Sequence, residues 1–197
     1  VEKETSVKSY ESGTVAIVGS GGAGALTTGN LLIEAAGTAG WHGLMTRAVG
    51  AQIRGGEAAA LVRLANQPVE CLADNINLLV GIDWQSADRF DAEIDVGPHS
   101  IVISDPHGGA IPSRVTGSGA RIFELPIKEL AHGVKDGRPN MIALGIVARI
   151  LGMDTDMFES PLTRQLGDKG PKAVESGRAA IEAGFNAAAE IPFERRL

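Results

Sequence analysis

The sequence predicts an α/β fold: a Rossmann-like layered sheet, mostly parallel, with helices on both faces and a C-terminal helical extension. Apolar segments of strand length alternate with segments of helical periodicity along the chain. An apolar strand runs into Gly-x-Gly-x-x-Gly between Val15 and Gly24 and is followed by a helix, which is typical of a phosphate-binding loop. The 197 residues, 44% of them hydrophobic, are enough for one globular domain.

The first predicted strand and helix form one unit. The strand covers residues 15–18, and the helix that follows covers about residues 22–36. Gly29 lies in the apolar stripe of this helix, which indicates a close approach to the sheet. Gly37 and Gly40 end the helix.

Three further strands are predicted in the next part of the chain, at residues 44–47, 57–64 and 77–83. The second could be helical by propensity, but the glycines before it and the turn at Pro68 leave too few residues for a stable helix. The third is an uninterrupted apolar run that closes with Asp83, which is typical of a buried parallel strand. A short helix over residues 84–93 is expected next.

The second half of the chain predicts two strands and three helices, at residues 100–104, 120–125, 126–134, 139–151 and 171–189. Residues 105–119, which contain glycine and proline, are expected to be exposed and mobile. The helix over 139–151 is apolar almost all round and belongs in a core or an interface. The last helix carries an apolar stripe that must face another element: Val174, Gly177, Ile181, Gly184, Phe185 and Ala188. These patterns predict an N-terminal arm (residues 1–12), an α/β domain with the glycine-rich loop (13–152), and a C-terminal helical extension of that domain (153–197).

The glycine loop predicts a phosphorylated ligand, because glycines let backbone N–H groups surround an anion at a helix start. Dinucleotide-binding units end their second strand with an acid that binds the ribose, whereas Arg47 stands there in this chain. This arginine argues against NAD and for a ligand with an additional phosphate, such as NADP or coenzyme A (CoA). Arg54, directly before Gly55, suggests a second anion site. Alternatively, both arginines are solvated surface residues, and Gly55-Gly56 is only part of a loop that leads into a strand.

Composition excludes several other functions. The net charge of −6 and the absence of a long basic block make nucleic acid a poor partner, and no apolar run or signal peptide indicates a membrane, so we expect a cytoplasmic protein. A single cysteine, Cys71, cannot hold an iron–sulfur cluster and is expected to be a buried structural thiol. The four scattered histidines predict no metal site. No strong catalytic constellation is visible, which is ordinary for a subunit that holds a ligand for its partners.

Several motifs occur in a fixed order along the chain: Gly19-Ser20-Gly21-Gly22-Ala23-Gly24-Ala25-Leu26-Thr27-Thr28-Gly29, Gln52-Ile53-Arg54-Gly55-Gly56-Glu57, Val62-Arg63, Pro68-Val69, Ala73-Asp74 and Asn140-Met141-Ile142-Ala143-Leu144-Gly145. As an ordered set they resemble the gamma subunit, or gamma domain, of 2-oxoacid:ferredoxin (acceptor) oxidoreductases. The likeness covers residues 14–151 and, more loosely, the last helix. The sequence around Leu44-Met45-Thr46-Arg47 is most similar to the gamma portion of 2-oxoglutarate-type enzymes.

The resemblance implies an enzyme that converts 2-oxoacid, CoA and oxidised ferredoxin to acyl-CoA, carbon dioxide and reduced ferredoxin. This chain would help to bind CoA and would not be catalytic alone. Thiamine diphosphate and 4Fe-4S clusters would lie on the alpha, beta and, where present, delta subunits, and ferredoxin or another acceptor would take the electrons. The predicted CoA-binding residues are Gly19, Ser20, Gly21, Gly22, Gly24, Arg47, Arg54 and Asn140.

Two other interpretations remain open at this stage. The first is an NADP-binding reductase domain, which the glycine loop and Arg47 would suit, although no Tyr-x-x-x-Lys pair is present. The second is a structural subunit that binds no ligand and uses its apolar helices to form an interface.

Overall fold

The computed structural model describes residues 8–9, 11–20, 22–49, 58–72, 75–85, 87, 94–192 and 195–196. Its strands are β1 (Lys8–Ser9), β2 (Ser12–Gly19), β3 (His42–Val49), β4 (Ala58–Ala65), β5 (Leu78–Gly81), β6 (Ile101–Ser104), β7 (Arg121–Glu124) and β8 (Arg195–Arg196). Its α-helices are α1 (Ala25–Thr38), α2 (Ser113–Thr116), α3 (Ile127–Gly133), α4 (Pro139–Leu151), α5 (Glu159–Leu166) and α6 (Pro171–Ala187). Two short 3₁₀ helices, Thr155–Phe158 and Gly167–Lys169, flank α5.

The main sheet has six strands in the order β3-β4-β2-β5-β6-β7. Strands β2, β5, β6 and β7 run parallel to one another, and β4 is antiparallel to both of its neighbours, β3 and β2. The central strand β2 is buried on both sides, which explains why residues 15–18 read as a continuous apolar run. The predicted fold class, a mostly parallel α/β sheet with a C-terminal helical part, is confirmed.

Alternate residues of β2 point into two separate cores. Val15 and Ile17 join a large core with residues from α1, α3, α4, α5 and α6. Ala16 and Val18 join a smaller core on the opposite face, which Trp84 and the α2 residue Val115 help to close. Of the helices in the described parts of the chain, the five longer ones therefore pack on one face of the sheet, and only the four-residue α2 packs on the other.

Several sequence predictions of single elements hold. The segment with helical propensity before Pro68 is strand β4, and α4 covers the predicted residues 139–151. Gly29 brings α1 close to the sheet, since a Cβ there would lie 2.8 Å from Ala60 Cβ. Most of the predicted helix over residues 84–93 lies outside the described residues.

Two expectations about exposure are wrong. The segment 105–119 is not an exposed loop throughout, because Asp105 is fully buried and Val115 belongs to the smaller core. Cys71 is exposed rather than buried. It lies beyond the end of β4 in a turn, where the Arg63 guanidinium reaches its carbonyl at 2.8 Å and its sulfur at 3.7 Å.

Candidate anion-binding site

The carboxyl ends of β2 and β5 lie side by side at the point where the chain changes direction across the sheet. From β2 the chain passes to β3 on one side, and from β5 it passes to β6 and β7 on the other. In open α/β sheets, ligands bind in the crevice at such a switch point. Ser20 follows β2 and Asp83 follows β5 at this edge, and the Ser20 hydroxyl donates to Asp83 Oδ2 at 3.3 Å.

The loop between β2 and α1 needs glycine at two described positions. Gly22 and Gly24 have φ angles of 97° and 85°, a region that residues with a Cβ rarely adopt. Gly24 is the N-cap of α1. No side chain caps the N-terminus of this helix, and its first turn contains no acidic residue. The first N–H groups of a helix have no partner within the helix, so those of α1 are available to an anion.

The N-terminus of α4 packs against this loop through Asn140. A Cβ on Gly24 would lie 2.7 Å from Asn140 Cγ, so only glycine admits the asparagine here. The Thr28 hydroxyl lies 3.1 Å from both the Asn140 carbonyl and the Gly24 carbonyl and ties the two helices together. Asn140 is only 6% exposed, and its side-chain amide bonds to none of the described residues. This amide lines a cavity and is therefore available to bond to water or to a ligand.

A cavity of about 540 Å³ opens between these two helix N-termini, and we call it the first lobe. Ser20, Gly22, Gly24 and Asn140 line it together with residues from α3, α5 and the 3₁₀ helix after α5. Its charged lining groups are Asp83, Lys128, Arg138 and Lys169.

Asp83 does not oppose an anion as a free carboxylate would. Its Oδ1 accepts the Gln85 N–H at 2.8 Å, and its Oδ2 lies 3.6 Å from Lys128 Nζ. Lys128 Nζ also donates to the His107 carbonyl at 3.1 Å. Lys128 therefore offsets Asp83, and the charges of Arg138 and Lys169, which make no ion pair with any described residue, leave the first lobe positive.

A buried carboxylate holds Lys128 in place. Asp105 is 0% exposed, and it follows β6 at the same edge of the sheet. Its Oδ2 accepts the backbone N–H of Lys128 at 2.7 Å, and its Oδ1 accepts that of His107 at 2.6 Å. Asp105 therefore fixes both the start of α3 and the carbonyl to which the Lys128 amine donates.

Replacing Asp105 with alanine is expected to lower the free energy of unfolding by about 2 kcal/mol, because two backbone N–H groups lose their acceptor. Chemical denaturation measures this change. The matched control is Asp95→Ala, since Asp95 is 61% exposed and its pair with Arg114 is long, at 4.0 Å. An equal, small effect of both substitutions would contradict this role of Asp105.

The structure brings together some of the sequence-predicted site residues and not others. Ser20, Gly22, Gly24 and Asn140 line the first lobe, and Gly19 ends the strand that leads into it. Gly21 and Arg54 lie outside the described residues. Arg47 does not line the first lobe: it lies on the edge strand β3, where its guanidinium donates to Asn30 Oδ1 at 2.9 Å.

The strand order explains the position of Arg47. The ribose-binding argument assumes that the second strand lies beside the first, but here β4 lies between β2 and β3. Sequence reasoning also missed Lys128, Arg138 and Lys169, which lie far from the glycine loop along the chain. The available signal was Asp83, an acid that closes a predicted parallel strand and therefore had to lie near the loop.

The described residues lack the features of two other kinds of site. These residues contain no group of three or more His, Cys, Asp or Glu side chains that could hold a metal ion. They also contain no helix with the length and apolar character needed to cross a membrane.

Comparison with known families identifies the chain. Residues 14–187 match the family described as pyruvate ferredoxin/flavodoxin oxidoreductase. The chain belongs to this family. The resemblance stated from the sequence is therefore confirmed at the level of the family. One relative of this chain is the ketoisovalerate oxidoreductase subunit VorA of Methanothermobacter thermautotrophicus, 28% identical over 181 residues, which are 89% of this chain and 36% of that subunit.

Solved structures share the fold. The 2-oxoglutarate:ferredoxin oxidoreductase of Magnetococcus marinus, solved with 2-oxoglutarate, coenzyme A and succinyl-CoA bound, matches 95% of this chain and 33% of its own chain, with a TM-score of 0.82 and 21% identity. The pyruvate oxidoreductase subunit PORC of Thermotoga maritima matches 90% of this chain and 97% of its own, with a TM-score of 0.69 and 20% identity. The gamma subunit of the keto/oxoacid ferredoxin oxidoreductase of Geobacter sulfurreducens matches 91% of this chain and 97% of its own, with a TM-score of 0.69 and 21% identity. The chain thus spans about a third of the first two proteins named and almost all of the separate subunits.

Proposed function

We propose that this chain is the gamma portion of a 2-oxoacid:ferredoxin oxidoreductase and that its first lobe binds the diphosphate of CoA. In the overall reaction the bond between the carboxylate and the keto carbon of the 2-oxoacid breaks, and carbon dioxide leaves. The CoA sulfur bonds to the remaining acyl carbon, two electrons pass to two oxidised ferredoxins, and the thiol proton is released. The chain itself binds and orients CoA, and the redox steps belong to other parts of the enzyme.

The observation that carries this proposal is the Asn140 side-chain amide, which bonds to no described residue and lines the cavity where two helix N-termini converge. The N–H groups at the start of α1 and the Asn140 side-chain amide can donate to phosphate oxygens at this point. In α4, Pro139 has no N–H and the Met141 N–H donates to the Arg138 carbonyl at 3.0 Å, so this helix adds fewer backbone donors. Arg138 and Lys169 add the positive charge that a diphosphate requires. The donors and charges that line the cavity fit a diphosphate.

Residue roles follow from position in the first lobe. The amides of Gly22 and Gly24, with the Ser20 hydroxyl, would contact one phosphate, and Asn140 the other. Gly19 and Gly21 belong to the same loop, and Arg54 remains a candidate from the sequence alone. Arg47 contributes no contact to this cavity, because it lies at the edge of the sheet.

The proposal extends to the cofactors and partners of the whole enzyme. The 2-oxoglutarate enzyme from Magnetococcus marinus, which shares this fold, was solved with CoA and succinyl-CoA bound. Thiamine diphosphate would lie on alpha, beta or delta portions of the same enzyme, in the cytoplasm. The 4Fe-4S clusters would lie on those portions too, because each cluster needs several cysteines and the sequence of this chain has a single one. When bound, thiamine diphosphate would supply the decarboxylation chemistry and the clusters would carry the electrons.

Amide proton–nitrogen correlation spectra of the chain, titrated with CoA, test the proposal. CoA is expected to shift the signals of residues 22–28 and 139–141, and Asn140→Ala is expected to raise the Kd about tenfold, because a hydrogen bond to a charged phosphate is lost. The matched control is Asn186→Ala, since Asn186 is exposed on α6. Shifts with NADPH and none with CoA would support a reductase domain instead. No shift with either ligand would favour a structural subunit.

A further inference from the structure

A carboxylate lies inside the cavity that would hold an anion. The Asp83 side chain is only 13% exposed, and it lines the first lobe together with Ser20 and Lys128. Like charges that face each other in a binding site lower the affinity strongly. A diphosphate can therefore enter this lobe only if another group offsets the charge of Asp83.

One oxygen of Asp83 faces two polar groups from different elements. Its Oδ2 accepts the Ser20 hydroxyl at 3.3 Å and lies 3.6 Å from Lys128 Nζ. Its Oδ1 accepts the backbone N–H of Gln85 at 2.8 Å. The Ser20 hydroxyl has a single proton, so it can donate either to Asp83 or to a phosphate, but not fully to both.

The Lys128 amine is already engaged by oxygens of the protein. Its Nζ donates to the His107 carbonyl at 3.1 Å and faces Asp83 Oδ2. The Lys128 backbone N–H donates to the buried carboxylate of Asp105 at 2.7 Å, which fixes the residue at the start of α3. The other two cations that line the first lobe make no ion pair with any described residue, so Lys128 differs from them in its partners.

We propose that Lys128 is a positioning residue, which neutralises Asp83 and so frees the Ser20 hydroxyl to turn from Asp83 to a phosphate. This inference rests on the proposed function, in which the first lobe holds the diphosphate of CoA. With Lys128 present, Asp83 Oδ2 keeps a positively charged partner after the Ser20 hydroxyl leaves it. Without Lys128, a mostly buried carboxylate would face the diphosphate and would retain the Ser20 hydroxyl as its partner.

A double-mutant cycle, measured by calorimetric titration of the full chain with CoA, tests this inference. Lys128→Gln is expected to raise the Kd for CoA at least about tenfold, because Asp83 loses the charge that offsets it. Asp83→Asn alone should not weaken binding, since it removes a negative charge from the lobe. Asp83→Asn, Lys128→Gln is expected to restore the Kd to within about threefold of the unmodified chain, because asparagine is uncharged and its amide can donate to Ser20.

The double variant also tests by itself whether Lys128 contacts CoA. It leaves no charge without a partner at this position, so its fold does not depend on the missing ion pair. If Lys128 bound the diphosphate directly, Asp83→Asn, Lys128→Gln would bind CoA as weakly as Lys128→Gln, and the inference would be overturned.

Ser20→Ala reports on the orientation of the hydroxyl. In the unmodified chain this substitution is expected to raise the Kd about tenfold, because a hydrogen bond to a charged phosphate is lost. In the Lys128→Gln background it is expected to have little further effect, since Asp83 already retains the Ser20 hydroxyl there. A loss of the same size in both backgrounds would contradict the positioning role.

A second ion pair of this chain provides the matched control. Arg164 Nη1 on α5 and Glu34 Oε2 on α1 lie 3.3 Å apart. Both helices contribute residues to the first lobe, but neither Arg164 nor Glu34 lines it. Arg164→Gln and Glu34→Gln, singly or together, are expected to keep the Kd for CoA within about threefold of the unmodified chain. A loss as large as that of Lys128→Gln would overturn the specific role of the pair at Asp83.

Two kinds of failure are distinguishable. If the unmodified chain binds CoA and Asp83→Asn does not rescue Lys128→Gln, this inference fails and the proposed function stands. If the unmodified chain does not bind CoA, the proposed function fails together with this inference.

Discussion

Replacing Gly145 with alanine is expected to lower the free energy of unfolding by about 3 kcal/mol. Gly145 on α4 lies against α6, where a Cβ would collide with the carbonyl oxygen of Ile181. Gly184 on α6 has the reciprocal contact, since its Cβ would collide with the carbonyl oxygen of Ile142. Both obstacles are backbone atoms and cannot rotate away, so the two helices would have to separate. Urea denaturation followed by circular dichroism measures the loss.

The control for this prediction is Gly37→Ala in α1. No atom lies within 4 Å of a Cβ at Gly37, so the substitution meets no obstacle. Alanine is the better helix former, and the expected change is neutral or stabilising by up to about 1 kcal/mol. If Gly145→Ala were as stable as Gly37→Ala, the close packing of α4 on α6 would be wrong.

Removing Arg138 and Lys169, the two cations of the first lobe that form no ion pair with a described residue, is expected to have the largest effect on CoA binding. In the double variant Arg138→Gln, Lys169→Gln, each lost charge-assisted contact costs about 1.5 kcal/mol, and together they raise the Kd for CoA roughly a hundredfold. Calorimetry on the full chain measures the change. The salt dependence of the Kd should also become shallower, since fewer charges would contact phosphate.

A double variant with the same change in net charge provides the control. Arg121→Gln, Lys135→Gln removes two exposed cations that do not line the first lobe, and the Kd is expected to change by less than about threefold. A hundredfold loss in this control as well would show that net charge, rather than the first lobe, sets the affinity. An unchanged Kd in Arg138→Gln, Lys169→Gln would contradict the assignment of CoA to the first lobe.

The sequence predicts the order of strands and helices well, because burial leaves a pattern in local composition. Helix α4 is apolar almost all round, and the structure surrounds it with α1, α3 and α6. The apolar stripe of α6 was expected to face an unknown element, which is α4. The strand order could not be predicted, because nothing in residues 57–64 indicates that β4 inserts between β2 and β3.

The candidate site was predictable only where its residues are close together in the chain. The glycine loop is a local motif, and Asn140 followed from the family resemblance. Lys128, Arg138 and Lys169 come from three separate helical segments, and only the folded chain places them around one cavity. The position of Arg47 could not be predicted either, because Arg47 lies on β3, which β4 separates from β2. Its role in binding stays a prediction.

The central claim is that this chain, rather than another part of the enzyme, holds the nucleotide end of CoA. A high-resolution map of the assembled enzyme in complex with CoA tests it most directly. We expect the diphosphate at the N-termini of α1 and α4, beside Asn140. Density for the whole of CoA on other polypeptides, with the first lobe of this chain empty, would contradict the claim.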